Sequence, residues 1–305
     1  MDIRLRIFLA VARVRQLTKA SRYLNLAPSS VSEQLSALER DLGTALFRRA
    51  HRGMELTVAG EELYRTAERI EGEWNAVLRD LERMAKGTSQ VRIAASQTAA
   101  ELYLPGPLGK FRQQFPNAPL HVSMVNSRTV MEQVASGVVD VGLVEGGGIP
   151  ATLASTPLWR DHLALIVSEA HPLAKRITVP LDALQDLEWV LREPGSGTRA
   201  IFEQALAAAG FPKDGLKIIM ELSSLRAILA MVANNVGASV LSTAIIDAKP
   251  ITVHGIRVMP IAEMNLSRSI RLVTPKDRPV DPLVSELIEM LSKAAVVDNQ
   301  RRHQH

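Results

Sequence analysis

Within the first sixty residues, Thr18 and Lys19, then Pro28, Ser29, Ser30, Ser32, Glu33 and Gln34, then Arg49, His51 and Arg52 bring short hydrogen-bonding groups and cations together at close spacing. Short polar side chains on one helix face suit a helix pressed against base edges and phosphates. Arginines and a histidine at a hairpin tip suit a phosphate backbone or a minor groove. A second set recurs where strands run into helices: Ser96 and Thr98, Asn126 and Ser127, Glu145, then Ser196, Gly197, Thr198 and Arg199, and finally Ser224. Hydroxyls and free N–H groups at several helix N-termini, with Arg199 near, form an anion site. Ordinary helix capping would use the same residues at any one of these segments. Their joint position at strand ends is what favours a ligand.

Other chemistries find little support. The chain has no cysteine, which removes disulfides, thiolate zinc sites and cysteine nucleophiles and fits a reducing cytoplasm. None of its seven histidines pairs with another at the three- or four-residue spacing of a helical metal site, so no metal is expected. Gly195-Ser196-Gly197 lacks the frame of a nucleophile elbow, and Gly146-Gly147-Gly148 lacks the following Lys-Ser/Thr of a P-loop. Neither an enzyme nor a cofactor is expected.

Composition agrees with a binding protein. A 305-residue chain that is 47% hydrophobic has room for two or three cored domains. Residues 1–60 hold 10 Lys and Arg against 5 Asp and Glu, whereas the remainder holds 26 against 27. A basic segment on a near-neutral body implies a polyanion partner for the first part. Charges interrupt the start, Met1-Asp2-Ile3-Arg4-Leu5-Arg6, so no secretion signal can be drawn, and no apolar stretch reaches the roughly 20 residues of a membrane span. A soluble cytoplasmic protein with no membrane partner is expected.

The elements that must position the first set follow from periodicity. Leu5, Phe8, Leu9 and Ala12 predict one helix; Thr18 caps a second over Lys19 to Leu24; Pro28 opens a third that buries Val31, Leu35 and Leu38. After Gly43, Leu46 to Arg49, a turn at Ala50 to Gly53, and Met54 to Leu56 predict a small hairpin, or wing. From Thr57 the chain runs without proline to Lys86, and Leu63, Ala67, Ile70, Trp74, Val77, Leu81 and Met84 step by four and three. That heptad seam needs a partner, and a second copy of the chain is the simplest one.

Ala20-Ser21-Arg22-Tyr23-Leu24, Ser30-Val31-Ser32, Leu38-Glu39, Leu42-Gly43, Leu46-Phe47-Arg48-Arg49 and Leu56-Thr57-x-Ala59-Gly60 together resemble the signature of LysR-type transcriptional regulators. The resemblance implies a winged helix-turn-helix that binds double-stranded DNA, and pairing of dimers into tetramers. Two positions depart from the pattern. Ala27 stands where Ser or Thr usually caps the recognition helix, and Glu33 where Arg or Lys is common; an acid there repels phosphate but accepts from cytosine N4.

Beyond Lys86-Gly87-Thr88-Ser89, strands and helices alternate as in an α/β fold: Val91–Ala95, a helix near 108–115, 120–125, a helix near 129–136, 139–144, then 163–167, 189–191, a helix over 199–209, 218–222, a helix over 225–234, 238–241, 271–273 and a helix over 283–295. The resemblance implies two lobes like those of periplasmic solute-binding proteins, with a ligand cleft between them. The predicted layout is a DNA-binding domain over 1–58, a linker helix and hinge over 59–88, lobe I over 89–162 with 268–298, lobe II over 163–267, and a tail over 299–305. The segment Trp189 to Arg199 is also similar to the subgroup of these regulators linked with sulfur and carbon assimilation, which implies an inorganic anion or a phosphorylated metabolite as effector. Ser223-Ser224-Leu225-Arg226 departs from the Gly-Asn-Ser-Glu of that subgroup, with Arg226 adding positive charge to the pocket if it points inward. An exported solute-binding protein predicts a signal and no wing, and a two-lobed enzyme predicts an acid/base or metal set; the sequence has the features of neither.

Overall fold

The structure, a computed structural model, describes residues 1–50, 53–86, 90–212, 214–247 and 255–302. His51 and Arg52 of the predicted wing tip and the predicted hinge residues 87–89 lie outside them. The chain divides into two compact units, Met1–Gly87 with Ala135–Val138, and Thr88–Val134 with Val139–His305.

In the first unit, α1 (Ile3–Val14), α2 (Leu17–Leu24) and α3 (Pro28–Leu42) precede a hairpin of β1 (Phe47–Ala50) and β2 (Gly53–Leu56), and α4 (Val58–Lys86) follows. Asp2 caps α1 by accepting from the Arg4 N–H at 2.8 Å. Ile7, Phe8, Val11, Ala20, Val31, Leu35 and Leu46 close one core, to which α4 contributes Ala67 and, in part, Leu63 and Tyr64. The second helix begins two residues earlier than predicted: it starts at Leu17, its N-cap Gln16 makes no side-chain cap, and Thr18 sits within its first turn. The physical reason is that Leu17 joins the core and draws the chain into helix before Thr18.

Three residues of the family-like signature hold the hairpin in place. The Glu39 carboxylate accepts from the Leu46 and Phe47 N–H groups at 2.8 and 3.2 Å. The Thr57 hydroxyl donates to the Ala45 carbonyl at 2.7 Å and accepts from the Gly60 N–H at 3.0 Å, capping α4. A Cβ on Gly60 would lie 2.1 Å from the Leu46 carbonyl oxygen, so only glycine lets α4 pass this close to the strand's approach.

The second unit runs β3 (Val91–Ala95), a π-helical turn (Ala99–Tyr103), α5 (Pro105–Gln114), β4 (Leu120–Met124), α6 (Ser127–Ala135), β5 (Val141–Glu145), β6 (Leu153–Ser168), β7 (Glu188–Arg192), α7 (Gly197–Ala208), β8 (Lys217–Leu222), α8 (Leu225–Ala233), β9 (Ser239–Ser242), α9 (Thr243–Asp247), β10 (Ile256–Met259), β11 (Ser267–Pro275) and α10 (Pro282–Arg302). Strands β4, β3 and β5 are parallel, and β11 closes them antiparallel through Ile270 opposite Glu145. Strand β6 pairs β11 from Leu153 to His162 and then, from Leu163, pairs β9 and β10. One 16-residue strand thus serves two lobes. The β7–β8 pair joins the second lobe through a Trp189–Ala238 bridge.

Each lobe has its own core. Ile93, Tyr103, Phe111, Leu143, Trp159, Leu287 and Leu291 fill the first. In the second, Leu165, Trp189, Phe202 and Val240 pack on one side of the sheet, and Ile166, Ile228, Leu229, Val232 and Leu241 on the other. The predicted tail over 299–305 begins too early, because α10 continues through Arg302. Its last turns are tied to β6: Asp298 accepts from the Trp159 indole at 3.2 Å, and Asn299 donates to the Leu158 carbonyl at 2.7 Å. Among the described residues no helix is long and apolar enough to cross a membrane.

Candidate functional site

Helix α3 buries Val31, Leu35 and Leu38 and turns the opposite face to solvent. Pro28, Ser29, Ser32, Glu33 and Ser36 are exposed, Ser30 and Gln34 half-buried, and Thr18 and Lys19 exposed on α2. Ala27 occupies the N-cap of α3 with extended backbone and no side-chain hydrogen bond, so the first N–H groups of this helix face outward uncapped. Arg49 is exposed on β1 opposite Met54, while the neighbouring Arg48 is held by Glu55 across the hairpin at 2.9 Å.

A cluster that sequence reasoning missed joins α1 to α4. Arg13 reaches Glu71 at 2.6 Å and Glu68 at 3.7 Å, beside Tyr64. Burial pushes the Glu68 carboxyl up, against the pull of Tyr64 and Arg13. Burial also pushes the Tyr64 phenol up, reinforced by the Glu68 charge. Along α4, Leu63 and Ala67 are spent in the unit's own core, so the predicted seam is open only from Ile70 onward. Ile70, Trp74, Val77, Leu78 and Leu81 are exposed large apolar groups on this charged helix. Met84 lies in α4 with its side chain outside the description.

In the second unit the lobes meet on a buried ionic cluster. Arg268, at the start of β11, has a side chain that is 1% exposed. Its Nε donates to Asp161 at 2.6 Å, one terminal nitrogen donates to Thr198 at 2.8 Å and lies 3.5 Å from Glu145, and the other donates to Thr98 at 3.4 Å. Thr98 and Glu145 come from the first lobe and Thr198 from the second. Ser242 donates to the remaining oxygen of Asp161 at 2.6 Å. Burial by itself would raise the Glu145 carboxyl, but the Arg268 guanidinium, the Thr98 hydroxyl, the charge of Arg192 and the Ser96 hydroxyl together hold it below the ordinary range.

The loop before α7 lies against this cluster. A Cβ on Gly197 would meet the Glu145 Cβ and carbonyl oxygen at 2.7 Å and the Ser127 Oγ at 2.8 Å, and the Arg128 N–H donates to the Gly195 carbonyl at 3.2 Å. At the same place several buried polar atoms make no hydrogen bond of good geometry: Ser96 Oγ, which lies near the Glu145 carboxylate, Ser196 Oγ, Glu145 Oε1 and Arg192 Nη1. Ser196 is the N-cap residue of α7, yet its hydroxyl makes no cap. Such atoms are costly to bury unless something pairs with them. The set can bind and orient a small polar molecule.

Ser96, Thr98, Glu145, Ser196, Gly197 and Thr198 are therefore gathered at one point, with the Ser127 hydroxyl beside them accepting from the Glu145 N–H at 3.2 Å. Three other predicted ligands already have protein partners. Asn126 accepts from the Thr129 N–H at 3.0 Å and Ser224 from the Ala227 N–H at 3.2 Å, both as helix caps. Arg199 turns to Glu203 at 2.6 Å and to Glu221, because α7 presents it on the face toward those acids. Arg226 is exposed. The cations buried beside the gathered residues are Arg192, which lies in the run from Trp189 to Arg199 that the sequence singles out, and Arg268, which carries no sequence signal beyond its place at the start of a strand. Among the described residues no group of His, Asp or Glu is arranged to hold a metal ion.

Both parts of the chain resemble known proteins. Residues 3–61 match the bacterial regulatory helix-turn-helix protein, lysR family, and residues 85–295 match the LysR substrate binding domain. A probable RuBisCO transcriptional regulator of Cyanidioschyzon merolae is 32% identical over 281 residues, covering 90% of this chain and 91% of that protein. Among solved structures, the Synechocystis CcmR regulatory domain in complex with 2-PG superposes with a TM-score of 0.61 at 23% identity, over 68% of this chain and 97% of that one. Full-length CbnR complexed with its target DNA gives 0.54 at 22% identity, over 97% and 100%. The basic, polar-faced helix-turn-helix and the two-lobed domain are those of a DNA-binding regulator with an effector domain, and the chain belongs to the LysR family of transcriptional regulators.

Proposed function

We propose that this regulator reads operator DNA with the exposed face of α3, Ser29, Ser30, Ser32, Glu33 and Gln34. Thr18, Lys19 and Pro28 would contact the backbone, and Arg49, His51 and Arg52 would act as the wing. Pairing through Ile70, Trp74, Val77 and Leu81 of α4 presents two such helices to one duplex. The layout assigns residues 1–58 to DNA binding, 59–88 to the linker, 89–162 with 268–302 to one effector lobe and 163–267 to the other. The protein acts by binding, without catalysis, and in the cytoplasm, where its DNA is.

The effector is a small metabolite bearing an acidic group, bound between the lobes around Ser96, Ser196 and Arg192. The observation that carries this reading is the group of unpartnered polar atoms buried between the lobes. The CcmR regulatory domain in complex with 2-PG supports it as a neighbour of the same fold. A ligand that prefers one arrangement of the lobes shifts the oligomer on DNA by its differential affinity.

Gel-shift titration on the promoter region of its own gene, across a salt series, tests the DNA half. Binding should weaken linearly in log salt, and salt-independent or absent binding refutes it. For the sensing half, acidic metabolites should raise the melting temperature of the wild-type protein and not of Ser196→Ala; an equal rise in both places the ligand elsewhere.

A further inference from the structure

The effector site contains more than a positive pocket. Each nitrogen of the Arg268 guanidinium already has a protein partner in Asp161, Thr198 or Thr98, and Glu145 lies beside the second N–H of one terminal nitrogen, so one N–H of the five at most is left for an incoming acid. Glu145 and Asp161 carry two negative charges against the one of Arg268, and Arg192 is neutralised by Glu193 at 2.9 Å. The unpartnered atoms are also mixed in kind. Arg192 Nη1 only donates, Ser96 and Ser196 do either, and Glu145 Oε1, as part of a carboxylate, only accepts.

A bare anion satisfies one side of this set. It accepts from Arg192, from the serines and from the uncapped first N–H groups of α7, but by taking the Ser96 hydroxyl, which otherwise faces Glu145, it leaves Glu145 Oε1 without a donor. A molecule that carries a donor beside its acid satisfies both sides. Resting on the reading of the cleft as an effector site, we infer that the ligand is an acid bearing a hydroxyl or ammonium group positioned to donate to Glu145, and that simple inorganic anions and donor-free diacids are discriminated against. Glu145 is the specificity-determining residue: a site built to receive a donor rejects an analogue that lacks one, because its own acceptor is then left buried and unpaired.

Isothermal titration of the full-length protein at pH 8 tests this with two sets of probes. One set offers a donor: serine, O-phosphoserine, glycerate and 3-phosphoglycerate. The other offers none: sulfate, malonate and 2-phosphoglycolate. The expected result is that at least one probe of the first set binds about tenfold or more tighter than every probe of the second, from the price of one unpaired buried acceptor. Glu145→Gln, whose amide can also donate, should narrow that gap toward equality. If this variant does not fold, as judged by its melting curve, the wild-type comparison decides. Equal or tighter binding of the donor-free set overturns the inference while leaving an acid-binding effector site standing. Failure of both sets to bind overturns the reading of the site as well.

Discussion

Replacing Arg268 by methionine keeps most of the side-chain length and removes the cation held between Glu145 and Asp161. In the native structure all three side chains are within 1% of full burial. Truncating one partner of such a cluster leaves uncompensated buried charge, an effect of about 3–5 kcal/mol. For a unit of this size each kcal/mol moves the melting temperature by about 2–4 °C, so the effector unit should melt roughly 6–20 °C lower at pH 7.5. The pH dependence carries the sharper test. With Arg268 present, the folded Glu145 titrates below its unfolded value, so its contribution is present above the unfolded value and is lost as pH falls through the folded one. Without Arg268, burial dominates and the folded value rises above the unfolded one. The contribution is then present below the unfolded value and lost as pH rises. Calorimetry of the full-length variant should therefore find a deficit at pH 7.5 that shrinks at pH 5. A deficit below about 3 °C at pH 7.5, or an equal one at both pH values, would refute the buried cluster as the structure arranges it.

Three further outcomes follow from particular contacts. Ala27→Ser supplies the missing cap of α3 and should stabilise the DNA-binding unit by about 1 kcal/mol, measured by denaturant unfolding; no gain would mean that the helix start is not free to be capped. Gly197→Ala forces a Cβ to within 2.7 Å of Glu145 and should destabilise the effector unit by about 1–3 kcal/mol, whereas an unchanged calorimetric melt would mean that the loop is not packed there. Trp74→Glu on the open part of α4 removes about 1.5–3 kcal/mol of apolar burial per subunit, so the dimer dissociation constant in sedimentation equilibrium should rise at least about a hundredfold; an unaltered dimer would move the interface off this helix.

Much of the first unit was legible because its information is local. The three-and-four spacing of Leu5, Phe8, Leu9 and Ala12, the proline at the start of α3 and the glycine after it each act within a turn or two of themselves. The second unit was harder wherever a segment depends on a distant partner. The sequence suggests a strand only over 163–167, but β6 begins at Leu153, since Pro157, Arg160 and Asp161 hide any apolar alternation and only pairing with β11 extends it. Strand β10 was not expected at all: four residues with Arg257 among them become a strand because β6 offers an edge.

The same division runs through the site. From sequence alone came the residue types at the strand ends, and hence a polar meeting point of Ser96, Thr98, Glu145, Ser196 and Thr198, since hydroxyls and glycines where strands enter helices are a local pattern. Which predicted ligands are already engaged is decided by packing: Asn126 and Ser224 accept as helix caps, and Arg199 pairs with Glu203 and Glu221. Arg268 shows the limit most clearly. In the run Ser267-Arg268-Ser269-Ile270 it reads as an ordinary surface arginine of an alternating strand. It is buried because Asp161, 107 residues earlier, and hydroxyls from both lobes compensate its charge. The solvation of a charge depends on everything that surrounds it in space, and that is fixed only when the chain has folded.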